Sequence, residues 1–388
     1  MGLRKFRINL FYNNSKNENF CRLLSFLVLY SIFLFTTCAP IGKTPPKAEK
    51  GVLDLRDWNF DTSGSLLGGN INLDGEWEFY WNEFPEGKGL DLPDVKREYL
   101  EVPNSWKGAV VKRGNESTEI IGDKRRGVGY ATYKLKILIG KDLPLSMRLS
   151  DQGTAYTLYV NKQEILKSGS IGKTEEDSIP NRDIEYINLT PENGELNLLL
   201  SISNFHYSSG GFWLSIILGN PKNIHTLNIY KVSLDLFISG ILFIMGIYHL
   251  FHYILRREDR SPFFFGLFCL LLALRNILTG ERFFLHLFPD IDFNESLRLE
   301  YLTFYLSSPL FAEFINSLYP KEMNQILRKF NLIFFMILSL MVLLLPPLYF
   351  TSTILFAQTM VLLSIIYIIY ILVKAHNSKK EGAYVFLY

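Results

Sequence analysis

Four residues in loop-like stretches have types suited to holding a small polar molecule. Trp106 follows Val102-Pro103-Asn104-Ser105, and Trp213 ends the run Asn204-Phe205-His206-Tyr207-Ser208-Ser209-Gly210-Gly211-Phe212-Trp213. An indole offers an apolar face to the C–H face of a pyranose, and Asn204 and His206 add donors and acceptors beside it. The expected partner of Trp106, Asn204, His206 and Trp213 is therefore a small ligand, with carbohydrate as one candidate. The 204–213 loop is expected to help form that site or to couple it to the membrane. Each tryptophan has a competing role as core, together with Trp58, Trp77 and Trp81, because the region has no cysteine to staple it.

A second set of residues is ionisable and lies in apolar surroundings. Asp235, Arg275 and Glu300 come from three successive apolar segments, each within a few residues of the same membrane surface. Charges at that depth normally face the bundle and pair. We expect Arg275 to bridge Asp235 or Glu300; the alternative is that each acid reaches the interface alone. Glu313 is expected among helices or headgroups at the opposite end. His249 and His252 sit three apart on a helix with no further ligand nearby, which favours interfacial histidines over a metal site.

Other chemistry is missing from the sequence. It contains no Walker-type loop, His-Glu-x-x-His, Cys-x-x-Cys or Gly-x-Ser-x-Gly. Glu76 and Glu78 alternate with aromatic residues and read as a solvated sheet face rather than a catalytic pair. We therefore expect no enzyme activity, no cofactor and no metal. Lys plus Arg total 40 against 38 for Asp plus Glu, a net charge of +2, so no nucleic acid is expected as partner. Three cysteines exclude a disulfide scaffold.

The positioning elements fall into unlike halves. Residues 1–38 carry a basic leader and the apolar run Leu23–Phe35, too short for a typical span and suited to a signal peptide. Cys38, before Ala39-Pro40, stands where a lipoprotein is cleaved and acylated, although Phe35 and Thr37 depart from the usual pattern. An uncleaved anchor is the alternative. Residues 39–50 read as a linker. In 51–225, alternation in Gly75–Trp81, Ala131–Ile139, Leu145–Leu149, Tyr156–Val160, Leu196–Ile202 and Leu214–Leu218, with Asn/Gly turns, predicts an antiparallel all-β sandwich.

Residues 229–388 predict an α-helical multi-pass membrane domain, with apolar segments at about 229–255, 263–280, 299–319, 330–350 and 352–373 and a sixth beginning at 382. The connections on one side carry Arg256, Arg257, Arg260, Lys321, Arg328, Lys329, Lys374, Lys379 and Lys380, whereas those on the other carry only Arg282 and Arg298. By the positive-inside rule the sandwich is then extracytoplasmic.

Two resemblances follow. Leu73–Trp81, Val102–Trp106 and Gly129–Tyr133 resemble the N-terminal jelly roll of glycoside-hydrolase accessory domains, a sandwich also used as the periplasmic domain of one bacterial receptor family. Tyr248-His249-Leu250, Arg256–Asp259, Phe265–Arg275, Gly280-Glu281-Arg282, Leu299–Leu302 and Pro309-Leu310-Phe311 resemble the bacterial seven-transmembrane receptors with diverse intracellular signalling modules. This second resemblance implies a periplasmic sensor of a small ligand in the bacterial inner membrane, a helical transducer and a cytoplasmic output such as a cyclase, phosphatase or kinase. The chain departs from that pattern by stopping within the sixth segment, so it is expected to be truncated and to signal through a separate cytoplasmic protein or a homodimer. The alternatives are a membrane-anchored carbohydrate-binding or carbohydrate-active protein, and a transporter or acyltransferase. The apolar midplanes argue against the last two.

Overall fold

The computed structural model describes residues 45–61, 68–87, 90–92, 98–113, 116–119, 127–378 and 380. The leader with Cys38, Lys379 and the segment from 382 lie outside the described residues. Residues 45–367 form one compact unit holding both strands and helices, and 368–377, the end of the last helix, falls in the second.

Among the described residues, the strands form two main sheets. The larger runs, in spatial order, Gln163–Ser168, Ala155–Val160, Glu195–Asn204, Gly129–Leu138, Gly75–Trp81, Glu98–Val102, Val110–Arg113 and Glu116–Glu119, with Val52–Asp54 parallel to Gly129–Leu138. The smaller runs Glu185–Leu189, Leu145–Leu149, Ile217–Gly219 and Ile71–Asn72. Side chains at alternate positions fill the space between the sheets: Trp77, Phe79, Tyr133, Leu135 and Leu200 come from one, Leu145, Met147, Leu149 and Leu218 from the other. The Asn193-Gly194 turn has φ of 53° and 73°, the left-handed pair that suits a tight reversal.

Two expectations are corrected here. Leu214 is exposed, because the strand begins only at Ile217. Glu78 is buried rather than solvated: Gly51 lies across it, and its carboxylate takes Lys134 at 3.0 Å and the Tyr80 hydroxyl at 2.9 Å.

Helix α1 (Pro221–Leu255) follows the last strand after a single residue, Asn220, which caps it by accepting the Lys222 N–H. Its 35 residues span about 52 Å, well beyond the ~30 Å hydrocarbon core. Part of the excess is the first two turns, where Ile224 and Leu227 are buried. The remaining α-helices among the described residues are α2 (Ser261–Thr279), α3 (Phe283–Leu287), α4 (Phe293–Leu318), α5 (Gln325–Leu344), α6 (Pro347–Phe350) and α7 (Ile354–Asn377). Helix α1 packs on α2, α2 on α4 and α4 on α5. The α1–α2 crossing is close because Gly246 and Gly266 face each other: a Cβ on either would lie 3.0 Å from the other's carbonyl oxygen.

Among the described residues, four spans are long and apolar enough to cross a membrane, namely α1, α2, α5 and Pro347–Asn377. Their exposed residues, such as Phe237, Ile244, Leu340 and Leu363, are apolar, as a lipid-facing surface requires. Helix α4 does not join them, which corrects the expectation of five apolar spans. It carries Glu295, Arg298, Glu300 and Glu313, yet Tyr301, Tyr305, Pro309, Ala312 and Ile315 are buried in the bundle. Two of its charges meet protein: Glu300 pairs with Arg182, and Glu313 takes Arg328 at 2.5 Å. Polar side chains also join helices: Asn276 Nδ2 donates to Ser239 Oγ at 2.9 Å, and Asn331 Nδ2 to Ser364 Oγ at 2.7 Å.

Candidate functional site

The loop residues selected for ligand recognition have different surroundings. Trp106 is 1% exposed, its Nε1 donates to the Gly127 carbonyl at 2.6 Å, and its ring meets Trp81 edge-on at 5.2 Å. The chain passes so close that a Cβ on Gly210 would lie 2.4 Å from the indole. Trp106 is therefore core, and the expected stacking platform is closed. Asn204 is also fully buried and organises the loop: its Nδ2 donates to the Gly127 and Tyr207 carbonyls, while its Oδ1 accepts the Tyr207 N–H. Trp213 packs on Tyr207 with centroids 5.1 Å apart, and its backbone N–H donates to Gln152 Oε1. His206, by contrast, borders a cavity.

The same loop touches the helices. The Tyr207 and Tyr301 hydroxyls are 2.7 Å apart, and the Ser208 N–H donates to Thr351 Oγ1 at 3.1 Å. Around these contacts lies a set of ion pairs joining sandwich to helix ends. Arg148 stands on Leu145–Leu149, whose Leu145, Met147 and Leu149 face the core, so its side chain must leave from the opposite face. There Nη2 donates to both Glu281 oxygens at 2.9 and 2.8 Å, Nε to Tyr186 Oη at 3.1 Å and Nη1 to Ser150 Oγ at 3.0 Å. Tyr186 in turn donates to Asn228 Oδ1 on α1. Arg182 pairs with Glu300 on α4, and Arg282 meets Asp151 at 2.9 Å while donating to the Arg182 carbonyl. Burial alone would lower the pKa of Arg148 and of Arg182, but the facing carboxylates outweigh it and leave both raised.

The expected intramembrane bridge is not formed. Arg275 Nη1 donates to the backbone carbonyl of Glu300 at 2.8 Å and its guanidinium lies over Phe304 at 4.8 Å. The Glu300 carboxylate turns to Arg182, and Asp235 Oδ2 accepts the Glu281 N–H at 2.6 Å. Asp235 lies inside α1 and Glu300 two turns into α4, yet the 280–282 turn and the sandwich reach them with donors of their own. Gly280 makes the second contact feasible, since a Cβ there would lie 2.0 Å from Asp235 Oδ2. His249 packs edge-on against Phe265 at 4.8 Å.

Between the 178–185 segment of the sandwich and the α3–α4 region lies a cavity of about 730 Å³. Its walls include Asp183, Glu185 and His206 on the sandwich side, and Leu285, His286, Asp292, Phe293 and Asn294 on the helical side. Burial lowers the pKa of His206, against the opposing pull of Glu175 and Asp292. Glu185 is raised, first by burial and then by Asp183.

Sequence reasoning missed Arg148, Asp151 and Arg182. The outward parity of Arg148 was a readable signal, but an arginine on a sheet face is ordinarily solvated. Glu281, Arg282 and Tyr301 were visible only as parts of motifs.

No curated protein matches the sequence. Among solved structures, the chain is similar to a β-glucuronidase from an uncultured Clostridium sp., at 18% identity over 38% of this chain and 28% of that one with a TM-score of 0.29. It is also similar to a glycosyl hydrolase family 2 member from Bacteroides cellulosilyticus DSM 14838, at 15% identity over 39% and 21% with a TM-score of 0.30. The chain covers less than a third of either enzyme's length. The family model for 7TM diverse intracellular signalling matches residues 231–388, a stretch that includes Glu281, Arg282, Glu300 and Tyr301. Over its helical region the chain is therefore similar to the 7TM diverse intracellular signalling family.

Proposed function

We propose that the chain is a bacterial membrane sensor whose extracytoplasmic sandwich binds a small ligand and passes the change to its helices. One observation carries this reading: Arg148, Arg182 and Asp151 of the sandwich are paired, largely out of water, with Glu281, Glu300 and Arg282 at the helix ends. Ion pairs in such surroundings tolerate little misalignment, so a shift of the small sheet must move the 280–282 turn and the start of α4. A sandwich that served only as a tethered binding module would need no such junction.

Orientation in the inner membrane is part of the proposal. Arg256, Arg257 and Arg260, together with Lys321, lie in connections at the helix ends opposite the sandwich, which supports a cytoplasmic placement for them. A cytoplasmic signalling protein or a second copy of the chain would then receive the signal at those ends.

Hydrogen exchange on the full chain in lipid nanodiscs tests coupling. Arg182→Met should alter exchange at the start of α4 and also in the 319–324 connection at its far end. A change confined to 293–300 would refute transmission.

A further inference from the structure

The cavity under the 178–185 segment has a charge balance that selects a ligand class. Asp183 and Glu185 both line the cavity, Glu185 as the first residue of the strand Glu185–Leu189 and Asp183 two residues before it. Neither has a cationic partner among the described residues: Asp183 takes only the Asn181 amide, at 2.9 Å. Arg182, the residue before Asp183, also lines the cavity, but its guanidinium is neutralised by Glu300. On the opposite wall Asp292 accepts the Asn294 N–H and caps α4, so part of its charge answers that helix's positive end. Burial favours the neutral form of His206. Asp183 and Glu185 are therefore the carboxylates of this wall that no described cation neutralises.

His206 and Asn294 line it as well, with His206 Nδ1 and Asn294 Oδ1 turned away from its free volume. Leu285, Ile291 and Phe293 complete the lining with apolar surface. A volume of about 730 Å³ lies within the usual range for small-molecule sites, roughly 300–1,000 Å³.

We propose that this cavity binds a small organic ammonium ion, its charged N–H groups on Asp183 and Glu185 and its carbon skeleton against Leu285, Ile291 and Phe293. The inference rests on the sensor reading and deepens it. Such a ligand would touch the segment that holds Arg182 and the helix that holds Glu300, so occupancy would bear directly on that ion pair. An anionic ligand would meet like charge, and a neutral polyol would leave the two carboxylates uncompensated.

Isothermal titration of the full chain in nanodiscs with putrescine, ethanolamine and tyramine, alongside D-glucose and D-glucuronate, tests the class. At least one amine should bind, more weakly as salt rises. Its affinity should fall by about tenfold or more in Glu185→Gln and in Asp183→Asn. Glu164→Gln, at an exposed position on the outermost strand, should leave it unchanged and serves as the control. Binding of glucose or glucuronate with no response to the amines would overturn the class, as would amine binding indifferent to both cavity substitutions or no binding by any amine. Should either cavity variant fold poorly, competition between the amines on the parent chain keeps the test open, since ligands of one site must exclude one another and independent binding overturns the proposal. The exchange response to Arg182→Met needs no ligand, so failure of the ligand class and failure of the sensor reading remain distinguishable.

Discussion

Arg182 of the sandwich and Glu300 of α4 form an ion pair across the junction, the guanidinium side chain 9% exposed and the carboxylate 20%. Neither partner has bulk water as a substitute. Removing one therefore leaves a charge stranded in a poorly hydrated place, which costs about 3–5 kcal/mol. Arg182→Met and Glu300→Gln should each lower the melting temperature of the full chain in detergent. The double variant Arg182→Met/Glu300→Leu should recover much of that loss. Additive losses in the double variant would mean that the pair does not act as a unit.

Arg148 offers a way to separate the domain from its junction. Its partner Glu281 lies outside the sandwich, and the apolar core between the sheets does not use it. Residues 45–220 expressed alone should melt cooperatively with a β-type circular dichroism spectrum, and Arg148→Met should move that melt by no more than about 0.5 kcal/mol. The same substitution in the full chain strands Glu281, leaving only the more distant Lys231 at 3.5 Å, and should be clearly destabilising. Equal effects in the two contexts would contradict the assigned geometry.

Gly280 is required by close approach rather than by backbone angle. A Cβ there would fall 2.0 Å from Asp235 Oδ2, and the acid would lose its hold on the Glu281 N–H. Gly280→Ala should cost about 1–3 kcal/mol, measured as a fall in melting temperature, and Asp235→Ala in the same chain should relieve part of it. No recovery would show that Asp235 is not the obstruction.

Glu185 gives a pH dependence with a definite sign. Burial and Asp183 raise its folded pKa, so the folded state favours the protonated acid. Its favourable contribution is present below the unfolded glutamate pKa and is lost as pH rises through the higher folded value. Glu185→Gln, which imitates the protonated form, should raise the melting temperature at pH 7 and lose that advantage near pH 4. A stabilisation equal at both values would point to packing instead of charge.

The sequence by itself determined the division into an alternating, disulfide-free β region and a helical membrane region. Period-two spacing and apolar runs of span length are local properties that survive without knowledge of neighbours. It also determined which helix ends carry the basic connections. It did not determine where charged and aromatic side chains finish. Trp106 looked available because its neighbours are turn-formers, yet Gly127 and Gly210 close over it; that enclosure depends on residues about twenty and one hundred positions away. Asp235, Arg275 and Glu300 shared a depth, which the helix rise supplies, but depth says nothing of azimuth or of donors brought in by another domain. Arg182, more than a hundred residues before Glu300, claimed that carboxylate, and the turn at Glu281 claimed Asp235. Pairing of buried charges is decided by whichever opposite group arrives with good geometry, and only the packing of the small sheet on the helix ends decides that.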